Sequence, residues 1–552
     1  MKLAQFLILN IIISYTICSP NYAQNPLAFK QVTNESGITF KYNFGDLTYQ
    51  NILESSGSGI AILDYNNDGF MDIYMLNGTY LEGISDPEGI VFKDTPNELY
   101  RNNGDGTFTE SAELAGIDDK NWSMAAGAID FDDDGDTDIY LLNYGPNVFY
   151  LNNGDGTYSD ITDSLGLKGP EKLNGFVKWS VGVAFWDIDM DEKMDMIVGN
   201  FLAFDPNYIS PTTPEMMPHP SEYKGQATFV YKQNPDGTFK DITQQLNMFY
   251  PDSKCMGITI FDYDDDGDLD VFQGNDHQKN YLFRNDGDLI FKDVAIAAGV
   301  AVNDEGQTTG SMHGSIGDVD GDGWMDLLVT DLRYGTLYRN LGTGIFEDIT
   351  RKSGVAHTFT GKGQWGANFF DFDNDGDTDI FATNGTAEEL VLQYPLLLKN
   401  DGDGNYSDIG KEMNPYFSEK RSGRASVVID YDNDGDLDIL VSHIDLKASP
   451  TLLRNDIGNK NHWLGLHLIG ANGPASSIGA KITLVSGNTT QVKINQWATS
   501  YLSYNDPRLL FGINKNEKIN KLEIKWPDGI VETFFDIKPD QYITIKEGTG
   551  IK

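Results

Sequence analysis

The sequence predicts an all-β chain: a seven-bladed β-propeller followed by a small C-terminal β domain. Three observations point there. An aspartate-rich segment recurs seven times, a second turn-bearing segment recurs with it, and half-repeats stand at the two ends. The 552 residues include 58 glycines, with 40% hydrophobic and 12% aromatic content. That is enough apolar material for large cores and enough turn residues for many short strands.

Taken in order, residues 1–23 (MKLAQFLILNIIISYTICSPNYA) read as a secretory signal peptide. Lys2 supplies the positive start, Phe6 to Ile13 the apolar run and Asn21-Tyr22-Ala23 a small-residue cleavage site. The competing reading is a membrane anchor, but the run is short and holds Asn10. Lipidation at Cys18 is disfavoured by Ile17 before it, where a small residue is wanted. No later stretch is apolar enough to span a bilayer, so the mature chain is expected outside the cell or in the periplasm, secreted or on the cell surface. Once the leader is removed, Cys255 is the only cysteine, so no internal disulfide braces the loops.

Residues 24–457 carry the repeat. DYNNDGFMDIY begins at Asp64, DFDDDGDTDIY at Asp130, DIDMDEKMDMI at Asp187, DYDDDGDLDVF at Asp262, DVDGDGWMDLL at Asp318, DFDNDGDTDIF at Asp371 and DYDNDGDLDIL at Asp430. The companion segment reads LYRNNGDGTF at Leu99, YLNNGDGTYSDIT at Tyr150 and LYRNLGTGIFEDIT at Leu337, with relatives at Val230, Leu282 and Leu397. Each unit therefore holds about four short strands, as a propeller blade does. A solenoid is the rival. The leading half-unit at Phe29 and the trailing half-unit LLRND at Leu452 favour a ring in which both chain ends share one blade. Residues 460–548 alternate apolar and polar in ITLVSG, KLEIKW and QYITIKE, as a small β domain does. A separate sandwich and a sheet packed on the propeller both remain open.

Apolar runs flank each aspartate segment, so each is the turn of a β-hairpin. Acidic or amide side chains fall at positions one, three, five and nine, with glycine usually at six. That spacing wraps hard oxygens round one centre, and the absence of His or Cys selects Ca²⁺. The ligands expected are Asp64, Asn66, Asp68 and Asp72; Asp130, Asp132, Asp134 and Asp138; Asp187, Asp189, Asp191 and Asp195; Asp262, Asp264, Asp266 and Asp270; Asp318, Asp320, Asp322 and Asp326; Asp371, Asp373, Asp375 and Asp379; and Asp430, Asp432, Asp434 and Asp438. A main-chain carbonyl at position seven adds another oxygen. The bland alternative is plain acidic turns, which seven copies at fixed spacing disfavour. Up to seven Ca²⁺ are expected. The loop at 187–195 is doubtful, because Glu192 replaces glycine and Lys193 follows, and Asn66 lowers the charge of the first. The role is structural: nothing singles out a carboxylate pair with separated pKa values.

Thirteen residues beyond each first aspartate come Asn77, Asn143, Asn200, Asn275, Asp331, Asn384 and His443, read as caps for main-chain groups on the face opposite the aspartate loops. The entering strands open with Trp122, Trp179, Lys254, His313, Trp365 and Arg424. With His443 these form a candidate ligand mouth, against the alternative that they fill and pack the channel. The long, proline-rich connection after Asn200 is either a recognition loop or a tolerated insertion.

The repeats resemble the FG-GAP/VCBS repeats of integrin-like propellers over about residues 29–455. The tail is similar to the ASPIC/UnbV domain at IGAKITLVSG, YLSYNDPRLLFGI and KLEIKWPDG. Together they resemble the cartilage-acidic-protein family, which implies extracellular calcium-binding propellers that mediate adhesion or ligand binding, without a settled molecular activity. The net charge of −43 excludes nucleic acid and anionic membrane surfaces as partners. The expected partner is a carbohydrate or protein ligand. The alternatives are a propeller enzyme acting on polysaccharide, a lyase or hydrolase with a base among His277, His313 and His443, and a purely structural surface component.

Overall fold

A computed structural model describes residues 28–387, 389–445 and 448–552. The leader and Cys18 lie outside the described residues. The chain is built almost wholly of short antiparallel strands with a few one-turn helices.

Seven four-stranded units follow one another. The second is representative: Ser123–Ile129, Asp138–Asn143, Val148–Asn152 and Tyr158–Asp160 pair in sequence order, with the aspartate segment as the first turn. In the last unit the fourth strand comes from the other end of the chain. Phe29–Gln31 pairs antiparallel with Thr451–Asn455, beside Asp438–His443 and Gly423–Ile429. The two half-repeats thus complete one sheet.

The first strands of the units are Ile60–Leu63, Ser123–Ile129, Ser180–Trp186, Cys255–Phe261, Thr309–Gly317, Gln364–Phe370 and Gly423–Ile429. Each packs beside the next, and the last packs beside the first. Side chains bridge the same seam. Asn102 Nδ2 of the first unit donates to the Tyr431 carbonyl of the seventh at 2.7 Å. Asn152, Asn340, Asn400 and Asn455 repeat this bond to the preceding unit, at Tyr65, Tyr263, Val319 and Phe372. A buried carbonyl left without such a donor would cost about 1–3 kcal/mol.

Beyond residue 460 the chain forms two further four-stranded sheets. One orders Leu509–Gly512, Trp463–Ile469, Gln541–Lys546 and Gly550–Ile551, the other Thr489–Ile494, Lys481–Ser486, Ile519–Lys525 and Val531–Ile537. Leu464, Leu466, Ile482, Leu484, Phe511 and Trp526 make their shared core. Both sequence-level options hold in part: this is a two-sheet body, and it packs directly on the aspartate-loop face. Gly435, the sixth residue of the last loop, lies so close that a Cβ there would stand 1.8 Å from the Trp463 ring.

In the chain between these sheets a segment packs against first strands of the units. Ser503–Tyr504 pairs in parallel with Ile60 and Ala61. Tyr501 is fully buried with its ring 5.0 Å from that of Trp365. Asn505 Nδ2 donates to Asn368 Oδ1 at 2.9 Å, and Ser315 Oγ donates to the Thr499 carbonyl at 2.7 Å.

Candidate metal loops and the covered axis

Each aspartate loop follows one path. Positions four and six take left-handed backbone, as at Asp133 (φ 60°) and Gly135 (φ 93°). The third loop keeps the path although it lacks glycine: Met190 and Glu192 adopt φ 57° and 68°. Its replacements therefore strain the loop without unfolding it, at about 1 kcal/mol each.

Position one accepts the amides of five and six, as Asp262 Oδ1 does from Asp266 at 3.1 Å and Oδ2 from Gly267 at 2.9 Å, except at Asp130, which takes only the Gly135 amide. Position nine is a staple. Asp138 Oδ2 accepts the Phe131 amide at 2.9 Å and Oδ1 the Asn152 amide on the third strand at 2.7 Å. The same pair of bonds recurs at Asp72, Asp195, Asp270, Asp326, Asp379 and Asp438.

Carboxylate oxygens of positions one, three and nine lie within 4.8 Å of one another in the loops starting at Asp130, Asp187, Asp262, Asp318 and Asp371. At position five one carboxylate oxygen accepts the position-seven amide, as Asp134 Oδ1 does from Asp136 at 2.9 Å. In the first loop Asn66 stands at position three and donates to Asp68 at 2.9 Å. Burial pushes the position-nine carboxyls Asp72, Asp138 and Asp326 up to about 8. Burial, joined by neighbouring carboxylates, lifts Asp130 to about 7 and Asp318 to about 6.

These groups fit a hard cation. All donors are oxygen, and Asp130 Oδ1, Asp264 Oδ1, Asp320 Oδ1, Asp373 Oδ1 and Asp432 Oδ1 are buried with no hydrogen-bond partner. Enclosed carboxylate oxygens without donors are costly unless a cation meets them. When bound, such an ion supplies charge neutralisation and ties the two hairpin strands together.

The C-terminal sheets contribute to the same face. Tyr542 Oη donates to Asp430 Oδ2 at 2.6 Å. Arg508 donates to the Asp430 carbonyl at 2.8 Å and to Asn433 Oδ1 at 2.6 Å, stacks on Tyr542, and is ion-paired to the buried Asp506 at 2.7 Å. Lys481 stands 3.2 Å from Asp265. Lys493 is half-buried; desolvation lowers its pKa, and the charge of Asp371 opposes that shift.

The candidate mouth lies in the interior instead of on an open rim. Trp122, Trp179, Lys254, His313, Trp365, Arg424 and His443 are all at most 4% exposed. The physical reason is that connecting segments fold back over them. Arg424 stacks on Trp365 at 4.0 Å and donates to the carbonyl of Ser55. Phe201 and Phe204, from the long connection, pack edge-on against Trp179. Lys254 Nζ donates to the Pro220 carbonyl, and His443 Nε2 lies 3.0 Å from Thr451 Oγ1. Asn77, Asn143, Asn200, Asn275 and Asn384 do cap main-chain carbonyls. His277 lies on the strand Asp270–Gln278, which pairs with the strand Thr309–Gly317 that carries His313. It is partly exposed, with its ring 4.2 Å from that of His219, which sequence reasoning passed over. The seam asparagines were passed over too, although each follows the second or third residue of a recurring companion segment.

Residues 470–552 match the ASPIC and UnbV family, and residues 85–141, 130–198, 223–273, 262–329 and 318–382 match the FG-GAP-like repeat. Over 286 residues the chain is 30% identical to cartilage acidic protein 1 of Homo sapiens, covering 47% of this chain and 39% of that one. The Xenopus tropicalis protein of the same name is 29% identical, with 48% and 40% covered. The chain thus spans about two fifths of the length of these relatives. Among solved structures, an Agrocybe aegerita lectin that recognises non-reducing terminal N-acetylglucosamine is 17% identical, with TM-score 0.38 and 65% and 84% of the chains covered. A Bacillus licheniformis rhamnogalacturonan lyase is 13% identical, with TM-score 0.35 and 77% and 75% covered. The chain is a protein of FG-GAP-like repeats joined to a C-terminal ASPIC and UnbV domain, homologous to cartilage acidic protein 1.

Proposed function

We propose that this chain is an extracellular ligand-binding protein, a closed seven-bladed propeller whose hairpins are braced by Ca²⁺. The observation that carries the calcium reading is the recurring cluster of three carboxylates with buried, unpartnered oxygens. Cyclic packing of the first strands and the Asn102–Tyr431 bond support closure. The ion does structural work that no disulfide among the described residues supplies; Cys255 is buried and its thiol is pushed up to about 12, so it is inert.

Ligand recognition, of a carbohydrate or a protein, belongs on the face away from the aspartate loops, since the C-terminal sheets cover the loop face. The connections after the second strands reach that opposite face. They carry exposed apolar and aromatic side chains: Ile90, Ile209, Met216, Tyr334 and Tyr394. A polysaccharide-cleaving role draws no support from His313 and His443, because both are enclosed. No helix among the described residues is long and apolar enough to cross a membrane.

The test is a pair of thermal melts, with Ca²⁺ and with a chelator, followed by glycan and extracellular-protein arrays. One site held at one hundred times its Kd adds about 2.7 kcal/mol, so several sites shift the melt by many degrees. A melt indifferent to the chelator sinks the calcium reading. Array binding lost when Tyr334 and Tyr394 are both changed to Ala supports the assigned face, and binding unaffected by them refutes it.

A further inference from the structure

The loops differ in one respect that the repeat pattern hides. On the third strand of each unit, the residue before the seam Asn or Gln is Arg101, Leu151, Lys232, Arg284, Arg339, Lys399 or Arg454 in turn. Three of these reach into their own aspartate loop. Lys232 Nζ lies 2.5 Å from Asp189 and 2.8 Å from Asp191. Arg339 Nε lies 2.5 Å from Asp320 Oδ2, and its Nη2 lies 2.9 Å from Asp322 Oδ2. Lys399 Nζ pairs with Asp373 Oδ2 and, at 2.8 Å, with Asp375 Oδ2.

The geometry is that of a clamp. In the loops at 318 and 371 the cation takes the Oδ2 atoms of positions three and five. Asp320 Oδ1 and Asp373 Oδ1 stay buried and unpartnered. Arg284 and Arg454 pair instead with Asp286 and Asp456 of the neighbouring turn. Arg101 bonds Asn103, and Asn66 already lowers the charge of its loop.

The loop at 130 has no such partner. Leu151 occupies the equivalent place, yet this loop carries six aspartates, and Asp130, only 4% exposed, keeps Oδ1 unpartnered. Repulsion among its carboxylates is therefore met by no cation on its own third strand.

We propose that Lys232, Arg339 and Lys399 are positioning residues that hold their loops in the metal-ready shape when no metal is bound, and that the loop at 130–138, whose third strand offers no cation at all, depends on Ca²⁺ for its order more than these clamped loops do. This rests on the calcium reading above, but its first test is made without metal. Like-charge groups released from a clamp open more often, and local opening is read by amide exchange.

Hydrogen exchange on the full chain, with chelator and with Ca²⁺, decides it. In chelator, amides of 130–138 should exchange about fivefold faster than those of 318–326 and 371–379. Ca²⁺ should protect 130–138 most. Leu151→Arg, at a half-exposed site, should remove that difference in chelator, and Lys399→Met should create it at 371–379 while Lys399→Arg restores protection. Equal exchange of all three loops in chelator, or no change from Leu151→Arg, overturns the proposal. Failure of Ca²⁺ to protect any loop, with the chelator pattern intact, overturns only the calcium reading.

Discussion

Two buried histidines set an acid limit on this protein. His313 and His443 are 4% and 2% exposed, and burial pulls both imidazoles down to about 3 from an ordinary 6.5. A pKa depressed on folding contributes stability that is present above the unfolded value and lost as pH falls through the folded value. The window therefore runs from about 6.5 down to 3. At about pH 5 the unfolded chain gains from protonating each imidazole by about 2 kcal/mol, so the pair costs the fold about 4 kcal/mol relative to about pH 7.5. The perturbation is His313→Gln with His443→Gln. Urea unfolding in saturating Ca²⁺ at the two pH values gives the acid loss for native and variant chains, and the aspartate contributions cancel in the difference. The native chain should lose about 4 kcal/mol more than the variant. An equal acid loss in both chains, or imidazole signals titrating near 6.5 in the folded protein, refutes the reasoning. Either result would also reopen these residues as accessible groups fit for catalysis.

Two further substitutions probe the join between the repeat units and the C-terminal sheets. Arg508→Met leaves the buried Asp506 carboxylate unpaired and should cost about 3–5 kcal/mol, whereas adding Asp506→Asn should recover part of that loss; additive costs in the denaturation double-mutant cycle would refute the coupling. Tyr501→Ala removes a fully buried ring and should cost about 3–5 kcal/mol in the same assay, with a loss below about 1 kcal/mol showing that the segment is not packed in solution.

The repeat was legible because its period is long and its turns are chemically distinctive. Aspartates at one, three and nine, glycine at six and the half-units at Phe29 and Leu452 all encode local geometry, and the structure reproduces it. At position five one carboxylate oxygen takes the position-seven amide, a bond that alternation alone does not announce. The candidate mouth was misplaced for a different reason. Trp122, Trp365 and Arg424 sit where strands begin, but burial there is decided by residues 38–58 and 497–506, far away in sequence. Nothing near Arg424 announces Ser55 as its acceptor. The docking of the C-terminal sheets was equally hidden, because Arg508 and Tyr542 have no periodic signature. The seam asparagines carried a readable signal, a repeated amide after a basic or apolar residue, whose purpose needs the neighbouring unit to be seen.

The pairing of Phe29–Gln31 with Thr451–Asn455 also governs when the molecule can finish folding. Synthesis delivers the first strand long before its partner, so the last sheet and the Asn102–Tyr431 bond must wait until residue 455 has emerged. Until then Phe29–Gln31 has no strand to pair with, and bringing it to Thr451–Asn455 costs loop-closure entropy that grows only slowly with chain length. The last sheet is thus completed after translation of its final unit, and an interrupted chain is left with Phe29–Gln31 unpaired.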